Sequence, residues 1–242
     1  MATDIDRLLV AGASGGTGKE ILAQLRDTDL RVRATTRSPE KERELSSRGA
    51  DEVVVVNLLD PADAARTVAD CDAVLCAVGT KPGLRVVLGG DFVDGTGVEN
   101  LVNAAVAADV ERFVFESAIG VGDSREKMPA PFRVPIWRTL NAKNHAEAML
   151  RTSGLTHTIL RPGMLTNAPA TGDVLVGEGG ATVSGRVPRA DVARLMVAAP
   201  FTPEAENRTF EVVSRDGLRG TARGVVEIDW RVPGEEAIEI EE

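Results

Sequence analysis

Residues 7–25 read Arg7-Leu-Leu-Val-Ala11, then Gly12-Ala-Ser-Gly-Gly-Thr-Gly18, then Lys19-Glu-Ile-Leu-Ala-Gln-Leu25. A short continuous apolar run predicts a buried strand, and the spacing of Ile21, Leu22 and Leu25 predicts a helix with one apolar face. Between them stand Gly12, Gly15 and Gly18, three apart. Glycine lets the backbone turn tightly and lets a phosphate approach it closely. The helix that follows offers unpaired N–H groups and the positive end of its dipole. Strand, glycine turn and helix in that order predict a dinucleotide site on Gly12, Ser14, Gly15, Gly16, Thr17 and Gly18. The plainer reading of these glycines is a structural turn. A nucleotide-triphosphate loop fits less well. Gly18-Lys19 matches its end, but Ala13 holds its first glycine position and Glu20 stands where a hydroxyl would bind magnesium.

Outward from this stretch, strands and helices alternate. Leu30–Thr36 alternates like a strand, residues 40–48 are charged and helical, and Val53–Val56 is a buried strand. Pro61 opens a helix to about Ala69, and Ala73–Val78 is a fourth strand ending in Gly79. Residues 80–92 read as a loop, 94–108 as a helix, and Arg112–Ser117 as a fifth strand. A loop at 121–135, a helix at 137–152 and a sixth strand at Thr156–Leu160 follow. After a loop at 164–188 come a helix at 190–199 and a strand at Arg208–Val213. Parallel strands need such crossover helices, so the pattern predicts an α/β fold. Its form is a Rossmann-type doubly wound parallel sheet with helices on both faces, in a single domain. That domain is expected over 1–213, with the substrate pocket built by the loops at 80–92, 121–135 and 164–188. Residues 214–242 form a C-terminal extension, with Gly224–Trp230 as a candidate strand before an acidic tail.

In such sheets ligands bind at the carboxyl ends of the strands. An acidic residue after the second strand would take the ribose 2′-hydroxyl of NAD, whereas Arg accommodates the 2′-phosphate of NADP. This chain has Thr35-Thr-Arg37-Ser38 and no acid there. Arg37 therefore points to NADP(H), with Arg33 a weaker second candidate because alternation turns it elsewhere. Asn57 and Leu58 would flank the adenine, and Ala77, Val78 and Gly79 would pass under the cofactor.

Composition narrows the function classes. Net charge is −9, the pI is about 4.9 and no long basic stripe exists, which argues against a nucleic-acid backbone as a direct partner. Asp4 and Asp6 precede the first apolar run, and no run of 18 apolar residues occurs. Neither a signal peptide nor a membrane span is expected. Cys71 and Cys76, five apart in an apolar stretch, fit neither a disulfide framework nor a zinc site, which suits a reducing cytoplasm. There are 5 Lys among the 28 basic residues, a bias that a high-salt cytoplasm and a GC-rich genome explain equally well.

Taken together, the glycine turn, Arg112-Phe-Val-Phe-Glu-Ser-Ala-Ile-Gly120, Asn141-Ala-Lys143 with Glu147, Ser153–Gly163 and Arg189-Ala-Asp-Val-Ala193 carry a resemblance. Over residues 6–213 the chain resembles an atypical short-chain dehydrogenase/reductase. The type is the small NAD(P)H-binding group related to NmrA-like regulators and flavin/biliverdin-IXβ reductases. The resemblance implies that Lys143 holds the nicotinamide ribose, that Pro162 at the sixth strand's end lies beside the cofactor, and that Ser117 polarises a carbonyl. It also implies a Tyr four residues before Lys143, as proton donor. Thr139 stands there, and the chain contains no Tyr at all. A second Ser often follows Ser117 in relatives; here it is Ala118. His145, His157, Cys71, Cys76 and Asp191 read as structural. Three functions are consistent with this pattern. The first is an NADPH-dependent reductase of a flavin- or quinone-like acceptor, which takes its proton from water. The second is a non-catalytic NADP(H)-binding sensor or assembly protein with a protein partner. The third is a sugar-nucleotide epimerase or dehydratase, for which the missing Tyr is a direct obstacle.

Overall fold

The strand before the glycine turn, β1 (Arg7–Ala11), serves two cores at once. In the computed structural model, which describes residues 5–80, 93–128, 130–133 and 136–233, Leu8 and Val10 pack into one apolar layer. Leu9 and Ala11 pack into the other. A strand buried on both faces has no polar side, which is why it reads as a continuous apolar run.

The elements that follow are α1 (Gly16–Leu25), β2 (Arg31–Thr36), α2 (Glu42–Ser47), β3 (Glu52–Val55), α3 (Pro61–Val68), β4 (Ala73–Cys76), α4 (Val98–Ala107) and β5 (Arg112–Glu116). After these come α5 (Ala130–Arg133), α6 (Trp137–Thr152), β6 (Thr156–Pro162), β7 (Met164–Thr166), β8 (Val174–Glu178), β9 (Arg186–Pro188), α7 (Arg189–Ala198) and β10 (Arg208–Ser214). The main sheet has the order β3-β2-β1-β4-β5-β6-β10-β8. Every neighbouring pair is parallel except β10 and β8. Residues of α1, α2 and α7 fill one layer, and those of α3, α4 and α6 the other. The fold is a doubly wound Rossmann-type sheet. Its strand order reverses between β1 and β4, and the crevice outside the carboxyl ends opens at that point.

Four boundaries differ from the sequence reading. The helix expected at 94–108 starts at Val98, because Val93–Gly97 forms a single wide π turn first. The segment 121–135 contains a 3₁₀ stretch, Gly122–Lys127, and the short α5. The segment 164–188 holds β7, β8 and β9; three-residue strands carry no readable period, and Gly177 interrupts β8. Gly224–Trp230 makes only one bridge, Val225 with Gly177. Beyond it the chain leaves the sheet edge, and Trp230 turns edge-on to Phe210 with centroids 5.8 Å apart. The loop at 81–92 and the tail at 234–242 lie outside the described residues. Among those described, no helix is long and apolar enough to cross a membrane.

Candidate functional site

The glycine turn and the exit of β4 meet at the reversal point. Gly12 has φ +82°, and a Cβ there would lie 2.6 Å from the carbonyl oxygen of Ala77. Ala77 is thus the wall against which the turn packs. A Cβ on Gly18 would collide with the Gly12 carbonyl, so α1 can approach the turn only with glycine there. The N–H of Gly15 closes the turn by donating to Gly12 O at 2.9 Å. Gly15 caps α1 without a side-chain bond, and no acidic residue stands in the helix's first turn. The positive end of α1 therefore carries no acid from its own helix, which suits an anion.

Along the crevice the other strand ends fall into line. Arg37 follows β2 and is exposed, with no hydrogen bond or ion pair to its side chain among the described residues. Arg33 points elsewhere. It is buried, donates to Glu52 at 2.7 Å, and reaches the carbonyls of Thr67 and Ala69. Asn57 and Leu58 follow β3, with Asn57 exposed and Leu58 buried. Ala77 and Val78 are buried and Gly79 exposed after β4, and Pro162 is buried at the end of β6. Lys143 is buried on α6. Its Nζ donates to Glu116 O at 2.8 Å and to Val78 O at 3.4 Å, so this lysine ties the ends of β4 and β5 together.

A family model of NAD(P)H-binding proteins matches residues 12–203. The chain belongs to the NAD(P)H-binding family. It is 32% identical over 216 residues to YhfK of Bacillus subtilis, named as an uncharacterised sugar epimerase, covering 87% of this chain and 95% of that one. It is 26% identical over 221 residues to the NAD(P)H azoreductase of Xenophilus azovorans, covering 88% and 70%. A solved Bacillus halodurans structure, titled as an NAD-dependent epimerase/dehydratase, superposes with a TM-score of 0.75 at 30% identity, covering 90% and 95%.

An NAD(P)H-binding chain needs room for the pyrophosphate, and the turn leaves space beside its backbone. A Cβ on Gly15 would stand 3.1 Å from Gly12 O, filling that cradle. Across the turn lies Arg189, the first residue of α7. Its Cδ and Nε come within 2.5 Å of where a Cβ of Gly16 would be, and its Nη1 donates to Asn167 Oδ1 at 2.6 Å. The motif Arg189–Ala193 was legible in the sequence, but its seat over the glycine turn was not. Asp191, one turn into the same helix, braces the chain by accepting from Thr171 and Gly172.

Two buried acids beside Lys143 also escaped the sequence reading. Asp94 sits in the π turn and accepts from Thr80 N–H at 2.8 Å; its Oδ1 lies 3.6 Å from Lys143 Nζ and has no hydrogen-bond partner among the described residues. Glu116 accepts from Thr17 Oγ1 at 2.8 Å, beneath the start of α1. Burial pushes its carboxyl above the usual range, against the pull of Lys143 and the Thr17 hydrogen bond.

Ser117 is engaged elsewhere. Its hydroxyl donates to Glu147 Oε1 at 2.5 Å, so its proton is not directed at a substrate carbonyl. Glu147 is also held by Arg161, whose Nε and Nη2 meet its two oxygens at 2.9 and 2.6 Å, and by Arg151. A cavity of about 350 Å³ opens beside this network, lined by Asp123, Arg151, Arg161, Glu178, Arg208 and Glu211. Each of those charges already has a partner, which marks the cavity as a salt-bridged seam and not the cofactor crevice. Thr139 lies half-buried one helical turn before Lys143. His145 is exposed on α6, and His157 packs within β6, where burial lowers its pKa. Burial also pushes Cys71 up to about 11 and Cys76 up to about 12, leaving both as inert thiols.

Proposed function

We propose that the chain is an NADPH-dependent reductase that serves a flavin- or quinone-like acceptor without a side-chain proton donor. The observation that carries this reading is the lysine without its acid: Lys143 is buried and tied to the ends of β4 and β5, while Thr139 occupies the donor position and the chain has no Tyr. A threonine hydroxyl is a far weaker acid than a phenol, whose reference pKa is about 10. When bound, NADPH supplies the hydride. The residues of the chain bind and orient it. The turn Gly12–Gly18 receives the pyrophosphate, Arg37 takes the 2′-phosphate, and Lys143 holds the nicotinamide ribose. Asn57, Leu58, Ala77, Val78, Gly79 and Pro162 line the path between. Flavins and quinones accept their proton from water, so nothing further is required of a side chain. The azoreductase relative supports reduction of a conjugated acceptor. The epimerase name of other relatives meets the missing Tyr.

The test is turnover. NADPH oxidation is followed at 340 nm, roughly the reduced nicotinamide band, with a panel of flavins and quinones. Steady oxidation with at least one acceptor is expected, faster with NADPH than NADH. Tight NADPH binding with no oxidation across the panel would replace this reading by the non-catalytic one, a redox-reporting or assembly protein.

A further inference from the structure

A second cavity, about 120 Å³, opens where the chain leaves β5 and meets the first two turns of α6; Arg125, Arg133, Trp137, Leu140, Asn141 and Asn144 line it. Lys143 lies on the same helix, next to Asn144, and its amine reaches the β5 end that runs on into the cavity's Gly120–Gly122 wall. The cavity and the nicotinamide end of the crevice are thus built from the same two elements.

Two features of the lining point to a ligand. First, Trp137 leaves 53% of its surface exposed, above the buried Leu140. Arg138 lies over the indole, its Cζ 5.7 Å from the ring centroid, and the exposed remainder of the ring offers a large rigid apolar surface at the pocket mouth. Second, the cations here have no acid. Arg133 donates to the backbone carbonyl of Arg125 at 3.1 Å, and neither guanidinium has a carboxylate partner among the described residues. Arg33, Arg112, Arg151, Arg161, Arg208 and Arg215 each have a carboxylate partner, whereas among the described residues Arg125 and Arg133 share the lack of one with Arg37 and with Arg189 beside the glycine turn. In a chain with 37 acidic and 28 basic side chains, partners are plentiful. Two arginines on one cavity whose lining holds no acid create a local positive field that attracts an anion.

We infer that this cavity is the acceptor's anchoring subsite, taking a planar conjugated ring against Trp137 and its carboxylate or phosphate on Arg125 and Arg133. The inference rests on the reductase reading and narrows it to acidic acceptors. A volume of about 120 Å³ holds one ring and its acidic group, leaving the rest of the acceptor in the crevice beside Lys143.

Two matched pairs of probes test it: flavin mononucleotide against riboflavin, and anthraquinone-2-carboxylate against its carboxamide. Each pair has one ring system with and without the charge. Binding is titrated by tryptophan fluorescence with NADP⁺ saturating, and confirmed by equilibrium dialysis. The anionic member of at least one pair is expected to bind about ten- to hundredfold more tightly, the worth of a charge-assisted contact. The double variant Arg125→Gln/Arg133→Gln should abolish that preference while leaving affinity for the neutral member and for NADP⁺ unchanged. Trp137→Leu should weaken both members and remove most of the quenching. Equal affinity within both pairs, a preference that survives the double variant, or no saturable binding of any probe overturns the inference. Charge-selective binding without NADPH oxidation upholds the subsite and overturns the reductase reading. Turnover indifferent to the acceptor's charge does the reverse.

Discussion

Arg37 follows β2 and Arg189 lies against the glycine turn, and on the proposed reading their substitutions should separate. Arg37 follows β2 and would meet only the 2′-phosphate. Arg37→Ala is expected to weaken NADP(H) about ten- to hundredfold and to leave NAD(H) unchanged. Arg189 lies over Gly16, where the proposed site puts the pyrophosphate that both cofactors carry. Arg189→Ala is expected to weaken both to a similar extent, and isothermal titration of each variant with each cofactor reads the contrast directly. Glu116 supports a prediction about pH. Its folded-state pKa lies above the ordinary 4.5, so the folded chain holds a proton that the unfolded chain releases. Its contribution to stability is complete below about 4.5 and is lost as pH rises through the folded value. Glu116→Gln keeps an acceptor for Thr17 and removes the charge. Urea midpoints should therefore show the variant gaining on the wild type as pH rises above about 4.5. A constant difference across that range would mean that Glu116 titrates normally.

Helix α6 does two jobs that its sequence announces only in part. Lys143 and Glu147, one turn apart, were singled out together, yet they serve different neighbours. Lys143 binds the carbonyls at the ends of β4 and β5. Glu147, fully buried, joins Ser117 beyond β5 to Arg161 in β6. A buried ion pair is costly to break because the surviving charge has no solvent to turn to. Glu147→Ala is expected to lose about 3–5 kcal/mol in chemical denaturation. Lys143→Ala should act first on cofactor affinity. The spacing of these residues could be read from the chain. Which face of α6 met which strand could not, because the Ser117 and Arg161 partners are 30 and 14 residues away.

At the scale of the whole molecule, the strand order gathers residues from 12 to 189 at the carboxyl ends of the strands, and none of them is a tyrosine. Neither an insertion nor a repacked loop can supply a phenol the chain does not contain. Reduction of simple aldehydes and ketones should therefore be negligible, since loss of a good general acid typically costs ~10²–10⁴-fold in rate. Thr139→Ala should change acceptor reduction little. Robust ketone turnover that disappears in Thr139→Ala would show that the threonine hydroxyl has taken over the acid's role.

The fold class, the glycine turn and the alternation of strand and helix were settled by the sequence, because each is a local signal. Glycine spacing, apolar runs and helical periodicity are properties of neighbours in the chain. Residues 12–18 could be read as a tight glycine turn between a strand and a helix before any strand was paired. Tertiary structure alone decided the rest. It turned Arg33 away into a brace with Glu52, seated Arg189 over Gly16, and committed Ser117 to Glu147. It also sank Asp94 and Glu116 beside Lys143. For Arg33, Ser117 and Glu116 the physical reason is common. A charged or polar side chain taken out of water must find a partner wherever the packed elements provide one, and that partner is set by which strand ends lie side by side.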